Sequence, residues 1–476
     1  MSAIPVIAIF DVGKTNKKLF LFNEQYELVF EKTARFTETI DEDGDPCENL
    51  TNLRLSVFDS LRTVFSMKEY CIKAINFSTY GASLVYLDKD GNPVTPLYNY
   101  LKPFPKELQK EFYEQYGGSE NIASETASPV LGSLNSGLQF YRLKHTKPLV
   151  YKLIKHALHL PQYMSNLITG EVYTDITSIG CHTQLWDFGK NDYHRWVKKE
   201  RLQTKFGPLK RAQDVVPATF PGNGYAVGIG LHDSSAALIP YLVNFHEPFI
   251  LLSTGTWCIS FNPFNYEPLT AKELEQDCLC YYSYKGTPVK ASRYFGGFEH
   301  EQQTKRIANY FKQAAPKYRT MKFDMRVVAK LKKNFKPNKN TPANSKDSGF
   351  AKRNLKEFDT DIEAYHQLII DMVAYQYQST HLILQGTPVK RIFVDGGFSK
   401  NIIYMNILAM AFPEMEVFAA SMAQASALGA ALAIHDSWNS QVIRNDIIEL
   451  KYYNVNRTVA LSEGEGSGIR KVNNIA

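Results

Sequence analysis

Val6-Ile7-Ala8-Ile9-Phe10-Asp11-Val12-Gly13-Lys14-Thr15-Asn16 decides the fold. Five apolar, strand-favouring residues meet an acidic one, then a tight turn around glycine, and a second apolar run follows at Lys18-Leu19-Phe20-Leu21-Phe22-Asn23. Strand, glycine turn, strand is the signature of a hairpin. The same design returns at Phe249-Ile250-Leu251-Leu252-Ser253-Thr254-Gly255-Thr256-Trp257 and Cys258-Ile259-Ser260-Phe261. Gly13 and Gly255 stand 242 positions apart, about half of a 476-residue chain. Two similar openings predict two similar domains. We expect an N-terminal domain over 1–244, a C-terminal domain over 245–440 and a C-terminal extension over 441–476.

Around these hairpins the signals mix. Lys73–Leu87 reads as strands broken at Gly81, with a turn at Asp88–Asn92. Apolar spacing over Tyr151–Ile168 predicts one helix ending before Gly170. The chain is therefore α/β. The Lys- and Asn-rich stretch 331–356 reads as a solvated loop, and 461–468 as a flexible tail.

Composition excludes several classes. Hydrophobic residues make up 44% and charged residues 21%, and the net charge is only +6. Such a dispersed excess does not suggest a nucleic-acid binder. No stretch reaches the ~18 apolar residues of a membrane span, and the N-terminus lacks the basic region of a signal peptide. Six cysteines are too few for a disulfide scaffold, and Cys278 and Cys280 lack a second ligand pair, so they read as strand positions rather than a zinc site. A cytoplasmic protein is expected.

Gly13-Lys14-Thr15 is not a P-loop, because Ala8 stands where its first glycine belongs. What remains is a turn whose backbone N–H groups and Thr hydroxyl can meet phosphate oxygens, beside Asp11, a carboxylate able to hold Mg²⁺ through water. Asp11 could instead only shape the hairpin. Ser253-Thr254-Gly255-Thr256 is a second turn of this kind, and the two together suit one polyphosphate. Gly228-Ile229-Gly230-Leu231-His232-Asp233 leads into a helix, with Asp233 either a helix cap or a general base. Asp395-Gly396-Gly397 follows a strand and permits close approach of a flat ligand. Ser426–Ala433 reads as a small-residue helix made for tight packing.

These segments, in this order, resemble the FGGY family of carbohydrate kinases over about residues 5–436. The Gly-x-His-Asp segment is most similar to rhamnulokinase- and fuculokinase-like members. Arg293–Gly297 is a looser match to a sugar-domain signature. The resemblance implies two actin-like, ribonuclease-H-type domains with a cleft between them, and ATP-dependent phosphorylation of a sugar hydroxyl. It implies Asp233 as catalytic base and Asp11 as the Mg²⁺-associated carboxylate. It places Gly13, Thr15, Gly255 and Thr256 on the phosphates, and Gly396, Gly397 and Asn401 in the adenosine pocket. It places His232, Gly81 and Asn99 on the sugar. Lys14 departs from the small residue usual in the family. Tyr98-Asn99-Tyr100-Leu101-Lys102 stands where many members carry Trp-x-Asp-x-Arg. The expected sugar is a ketose such as L-rhamnulose or L-fuculose, with xylulose as the alternative. A non-catalytic actin-like ATP-binding regulator is the alternative from another class. The expected partner is the small-molecule sugar, with a homodimer left open.

Overall fold

The computed structural model describes residues 3–14, 16–222, 224–334, 349–422 and 424–454. Contacts divide the chain into two units. The first holds residues 1–243, 280–288 and 424–447, and the second holds 244–279, 289–423 and 448 onward.

In the first unit the opening hairpin forms as expected. Strand β1 (Ile4–Val12) pairs antiparallel with β2 (Lys17–Asn23), which pairs antiparallel with β3 (Leu28–Ala34). β1 is parallel to β4 (Tyr70–Thr79). Beyond β4 lie β5 (Val215–Pro217), β6 (Ala226–Gly228) and β7 (Leu231–His232), giving the order β5-β6-β4-β1-β2-β3, with β7 also paired to β4. The helix Leu50–Ser66 carries the chain from β3 to β4. Asn49 caps it, and it buries Leu50, Leu53, Val57, Leu61 and Val64, one stripe at helical spacing, against the sheet. A second core gathers residues 84–206 around Phe112, Phe140 and Trp196, and Tyr282 joins it.

The second unit repeats the plan. The second sheet is made of β8 (Phe249–Thr254), β9 (Cys258–Asn262), β10 (Cys278–Tyr282), β11 (Pro288–Tyr294), β12 (Arg391–Gly396), β13 (Glu416–Ser421) and β14 (Glu449–Tyr453), with residues 280–282 of β10 and Pro288 of β11 counted in the first unit. They stand in the order β10-β11-β9-β8-β12-β13-β14. β8 is antiparallel to β9 and parallel to β12, and β12 is parallel to β13. Setting aside β5, β7, β10 and β14, both sheets read 3-2-1-4-5, with the same mix of antiparallel and parallel neighbours. The two similar sequence openings are thus the first hairpins of two similar sheets.

Three findings differ from the sequence reading. Tyr151–Ile168 is not one helix: Pro148–Leu153 and Leu160–Thr169 are helical, and His156–His159 between them is a strand paired with Leu84–Leu87. Pro161 fits only the first turn of a helix, so the second helix has to begin there. Where a single cut at 244/245 was expected, the segments 280–288 and 424–447 pack with the first unit. The extension beyond 440 contributes an edge strand, β14, to the second sheet. The expected tail at 461–468 lies outside the described residues, as do residues 335–348 of the Lys- and Asn-rich stretch.

Candidate active site

Asp11 is the next-to-last residue of β1, and its carboxylate accepts a hydrogen bond from Ser426 Oγ at 3.1 Å. Burial first, then the charge of Asp233, pushes the Asp11 carboxyl up to about 6. Asp233 is the first residue of the helix Asp233–Asn244. Its side chain keeps 35% of its surface, yet the surrounding protein also pushes its carboxyl up to about 6. Both carboxyls are thus disfavoured as ions, chiefly by burial.

The strand β7 and the glycine before it set where Asp233 stands. Gly230 has φ +80°, and a Cβ there would lie 2.6 Å from Pro161 O, so only glycine fits. His232 is buried, and burial pushes its imidazole down to about 3, so it is neutral. Its Nε2 lies 3.2 Å from Asp233 Oδ1 and its ring stacks on Tyr281 at 5.5 Å. Nε2 is also 3.2 Å from Cys181 Sγ. The Nδ1 atom is buried with no hydrogen-bond partner. An Nε2–H donated to Asp233 leaves Nδ1 as an acceptor for a hydroxyl. Gly81 faces this ring directly, since a Cβ there would lie 2.9 Å from His232 Nε2.

Of the segment 98–102, Tyr100 is the residue that feels Asp233. Burial and the Asp233 charge push its phenol up, so it stays protonated. Asn99 turns its carbonyl oxygen to its own loop, accepting from Leu101 N at 2.9 Å. Lys102 is buried among Asp41, Asp43 and Asp45, and Tyr98 donates to Glu42. Asn99 lies with Tyr98, Lys102, Gln139 and Arg142 around a small hollow of about 20 Å³.

In the first turn, Gly13 N donates to Asn16 O at 2.9 Å, and Lys14 is tied to Glu38 at 2.9 Å. Thr15 lies outside the described residues. For the expected Mg²⁺, Asp11 offers a hard carboxylate donor, and the Asp233 charge that helps raise its carboxyl is one a cation would relieve.

The second unit carries the other turn. Gly255, Thr256 and Trp257 are exposed, and a Cβ on Gly255 would meet nothing nearer than Trp257 O at 3.8 Å. The turn is therefore open. It is braced from behind: Gly297 N and Phe298 N donate to Thr256 O at 3.1 and 3.2 Å. Arg293, paired with Asp277, lies 5.1 Å over the Trp257 ring. Arg293–Gly297, a loose sugar-domain match in sequence, thus supports the turn at Gly255. Gly396 has φ +86°, and a Cβ there would strike Thr254 O at 2.0 Å, whereas Gly397 is exposed and open. Asn401 caps the helix Ile402–Ala411, accepting from Ile403 N and Tyr404 N, and donates to Tyr365 Oη at 2.9 Å. Thr254 Oγ1 accepts from Phe398 N at 2.9 Å, joining β8 to the segment after β12.

Cys181 and Tyr281 sit in no local pattern that announces them, while Thr254, Tyr100 and Ser426 lie in segments already noted in the sequence but carry no individual role there. Each reaches its place through tertiary packing. A separate cluster, Glu125, Asp187 and His194, has ligand-like spacing, but Lys190 pairs with Asp187 and Arg195 lies 3.5 Å from Glu125. Cys278 and Cys280 are buried on β10, and no third ligand joins them among the described residues. No helix among the described residues is long and apolar enough to cross a membrane.

Comparison with known proteins agrees with this layout. Residues 6–229 match the N-terminal domain of the FGGY family of carbohydrate kinases, and residues 246–442 match the carbohydrate kinase FGGY C-terminal domain. A rhamnulokinase of Mannheimia succiniciproducens is 22% identical over 267 residues, 53% of this chain and 52% of that protein. One of Bacteroides thetaiotaomicron is 26% identical over 219 residues, 43% of each chain. The chain spans about half the length of the curated relatives it matches. Among solved structures, a carbohydrate kinase from Novosphingobium aromaticivorans superposes with a TM-score of 0.76 at 23% identity, covering 95% of this chain and 94% of the other. A xylulose kinase from Rhodospirillum rubrum does so with a TM-score of 0.77 at 14% identity, covering 96% and 98%. These likenesses carry the two-domain α/β fold, and the two domain matches together make the chain a member of the FGGY family of carbohydrate kinases.

Proposed function

We propose that this protein transfers the γ-phosphoryl group of ATP to a hydroxyl of a sugar, with Asp233 as the general base. The observation that carries the reading is Asp233 itself: a carboxylate with a raised pKa, beside a neutral histidine whose Nδ1 has no partner. A pure nucleotide sensor has no use for such a pair, which counts against the regulator alternative. The first unit supplies the acceptor and the second unit the nucleotide. The reaction belongs with ATP in the cytoplasm.

Phosphoryl transfer asks the protein for positioning, charge neutralisation and the removal of one proton. His232 Nδ1 accepts from one sugar hydroxyl, and the Tyr100 phenol donates to another. Asp233 accepts the proton of the reacting hydroxyl as that oxygen bonds to the γ-phosphorus. The bond from that phosphorus to the β–γ bridging oxygen breaks, and its electron pair leaves on ADP. The turn at Gly255 and Thr256 holds the phosphates with N–H and hydroxyl donors. Asp11, with its ligating water, would hold Mg²⁺, which when bound neutralises phosphate charge.

The sugar proposed is a ketose, L-rhamnulose or L-fuculose, supported by His232 beside Asp233 and by the rhamnulokinase relatives. Xylulose is the second reading, because a solved xylulose kinase shares the fold. The test is ADP formation with Mg·ATP against a panel containing all three ketoses and glycerol. Turnover with one of the deoxyketoses at least tenfold above xylulose supports the reading. No sugar-dependent ADP with any ketose sinks it.

A further inference from the structure

The short helix Ile176–Ile179 and the residues flanking it pack against β7 and its His232. Strand β7 is only two residues long, and its Leu231 and His232 pair in parallel with Ser78 and Thr79. The His232 N–H is satisfied by Thr177 Oγ1 at 3.0 Å. That hydroxyl in turn donates to Asp175 Oδ1, which also accepts from Ser178 N at 3.1 Å. One turn on from Thr177, Cys181 Sγ touches the His232 ring. Asp175, Thr177, Cys181 and His232 are all buried. A residue pair at i, i+4 therefore grips both the backbone and the ring of the residue before Asp233.

We propose that Thr177 is a positioning residue for Asp233: its hydroxyl, bridging Asp175 and the His232 amide, fixes the angle at which β7 turns into the helix that carries the base. This rests on the reading of Asp233 as the base. The physical reason is local. A two-residue strand has too few ladder bonds to hold its own end, and a buried N–H left unpaired pulls the backbone toward another partner. Displacement of a reacting group by about 1 Å can cost on the order of 100-fold in rate.

The experiment compares the full-length wild type with Thr177→Val, Thr177→Ser and Asp233→Asn, measuring kcat, KM for ATP and KM for the best sugar, with thermal melting as the folding control. Val keeps the shape and removes the hydroxyl. Thr177→Val should stay folded with KM for ATP within about twofold of wild type, while kcat falls ~10- to 100-fold. Thr177→Ser, which restores the hydroxyl, should recover most of it. Near-normal kcat in Thr177→Val overturns the proposal. So does a loss shared equally between kcat and the ATP KM, or a Ser variant as impaired as Val. If Thr177→Val does not fold, Thr177→Cys takes its place with the same expected split, its thiol being a weaker partner on a longer bond. Asp233→Asn separates the two levels: full activity there removes the base assignment, whereas an inactive Asp233→Asn beside a normal Thr177→Val removes only the role of Thr177.

Discussion

The carboxyls of Asp11 and Asp233 are held at about 6 in the folded protein, against about 3.8 as ordinary groups. Two consequences follow with opposite sign. For catalysis, a base must be ionised, so kcat/KM should be flat above pH 6 and fall about tenfold per unit below it. For stability, the folded state holds these protons more tightly than the unfolded chain. Stability is therefore lost as pH rises from about 4 to about 6, and the whole penalty is present above that. Asp233→Asn should accordingly lower kcat by ~10²–10⁴ while raising Tm at pH 8, with the gain in Tm gone at pH 4. Asp11→Asn should show the same pattern of Tm. A lower Tm at pH 8 for both variants would mean that the carboxylates are structural. A second expectation belongs to Tyr100. Its phenol stays protonated beside Asp233, so Tyr100→Phe should lower kcat/KM for the sugar about tenfold or more, because a sugar hydroxyl then loses its partner. The ATP KM should not move. Asn99→Ala should do less, since its carbonyl oxygen already serves its own loop. The strand-to-helix junction at Asp233 was legible in sequence because small residues and a histidine surround it. The place of Tyr100 was not, because which of five consecutive side chains feels the Asp233 charge depends on where the acidic loop Asp41–Asp45 anchors Lys102.

The turn after β8 works as an element rather than as single residues. Gly255 and Thr256 are exposed, and the N-terminus of the helix Gly296–Tyr310 is pinned to Thr256 O by two hydrogen bonds. A Cβ on Gly297 would lie 1.8 Å from Gly255 O. Gly297→Ala must therefore push the turn away from the helix. It should raise the KM for ATP at least about tenfold while leaving the KM for the sugar within twofold. Trp257, 38% exposed and tilted against Phe295 with ring centroids 4.4 Å apart, supplies a second readout. Mg·ATP should change its fluorescence in the wild type, and Gly297→Ala should shift that titration to higher concentration. An unchanged titration midpoint in a folded Gly297→Ala protein would take the turn out of the nucleotide site. The turn itself could be seen in the sequence as hydroxyls around a glycine. Its brace could not, because Arg293–Phe298 is about 40 residues away and joins it only once β11 pairs with β9.

At the scale of the whole molecule, the duplication was visible in the sequence as two hairpins half a chain apart, while the shared 3-2-1-4-5 strand order was not. The partition of the chain was not, because a linear cut has no way to show a late segment returning to an early sheet. The helix Ala425–Ala433 packs on β1 and β4. Gly429 lies so close to the helix Asp233–Asn244 that a Cβ would fall 1.8 Å from Ala236 O, and Asn76 Nδ2 donates to Ala430 O at 2.8 Å. Farther along, Asn439 donates to Glu24 O at 2.9 Å, and Tyr26 bonds His435. Ser426 on the same helix holds Asp11. Residues 424–447 are thus part of the first core and part of its site. A fragment of residues 1–243 should therefore lack a cooperative melting transition, since it would expose the apolar face that this helix covers and leave Asn76 without its acceptor. In the full chain, Gly429→Val should destabilise by ~3 kcal/mol or more, because the clash is with backbone and neither helix can yield without opening the sheet beneath it. Cooperative melting of the 1–243 fragment near the Tm of the full chain would show instead that the first unit is complete without its returning helix.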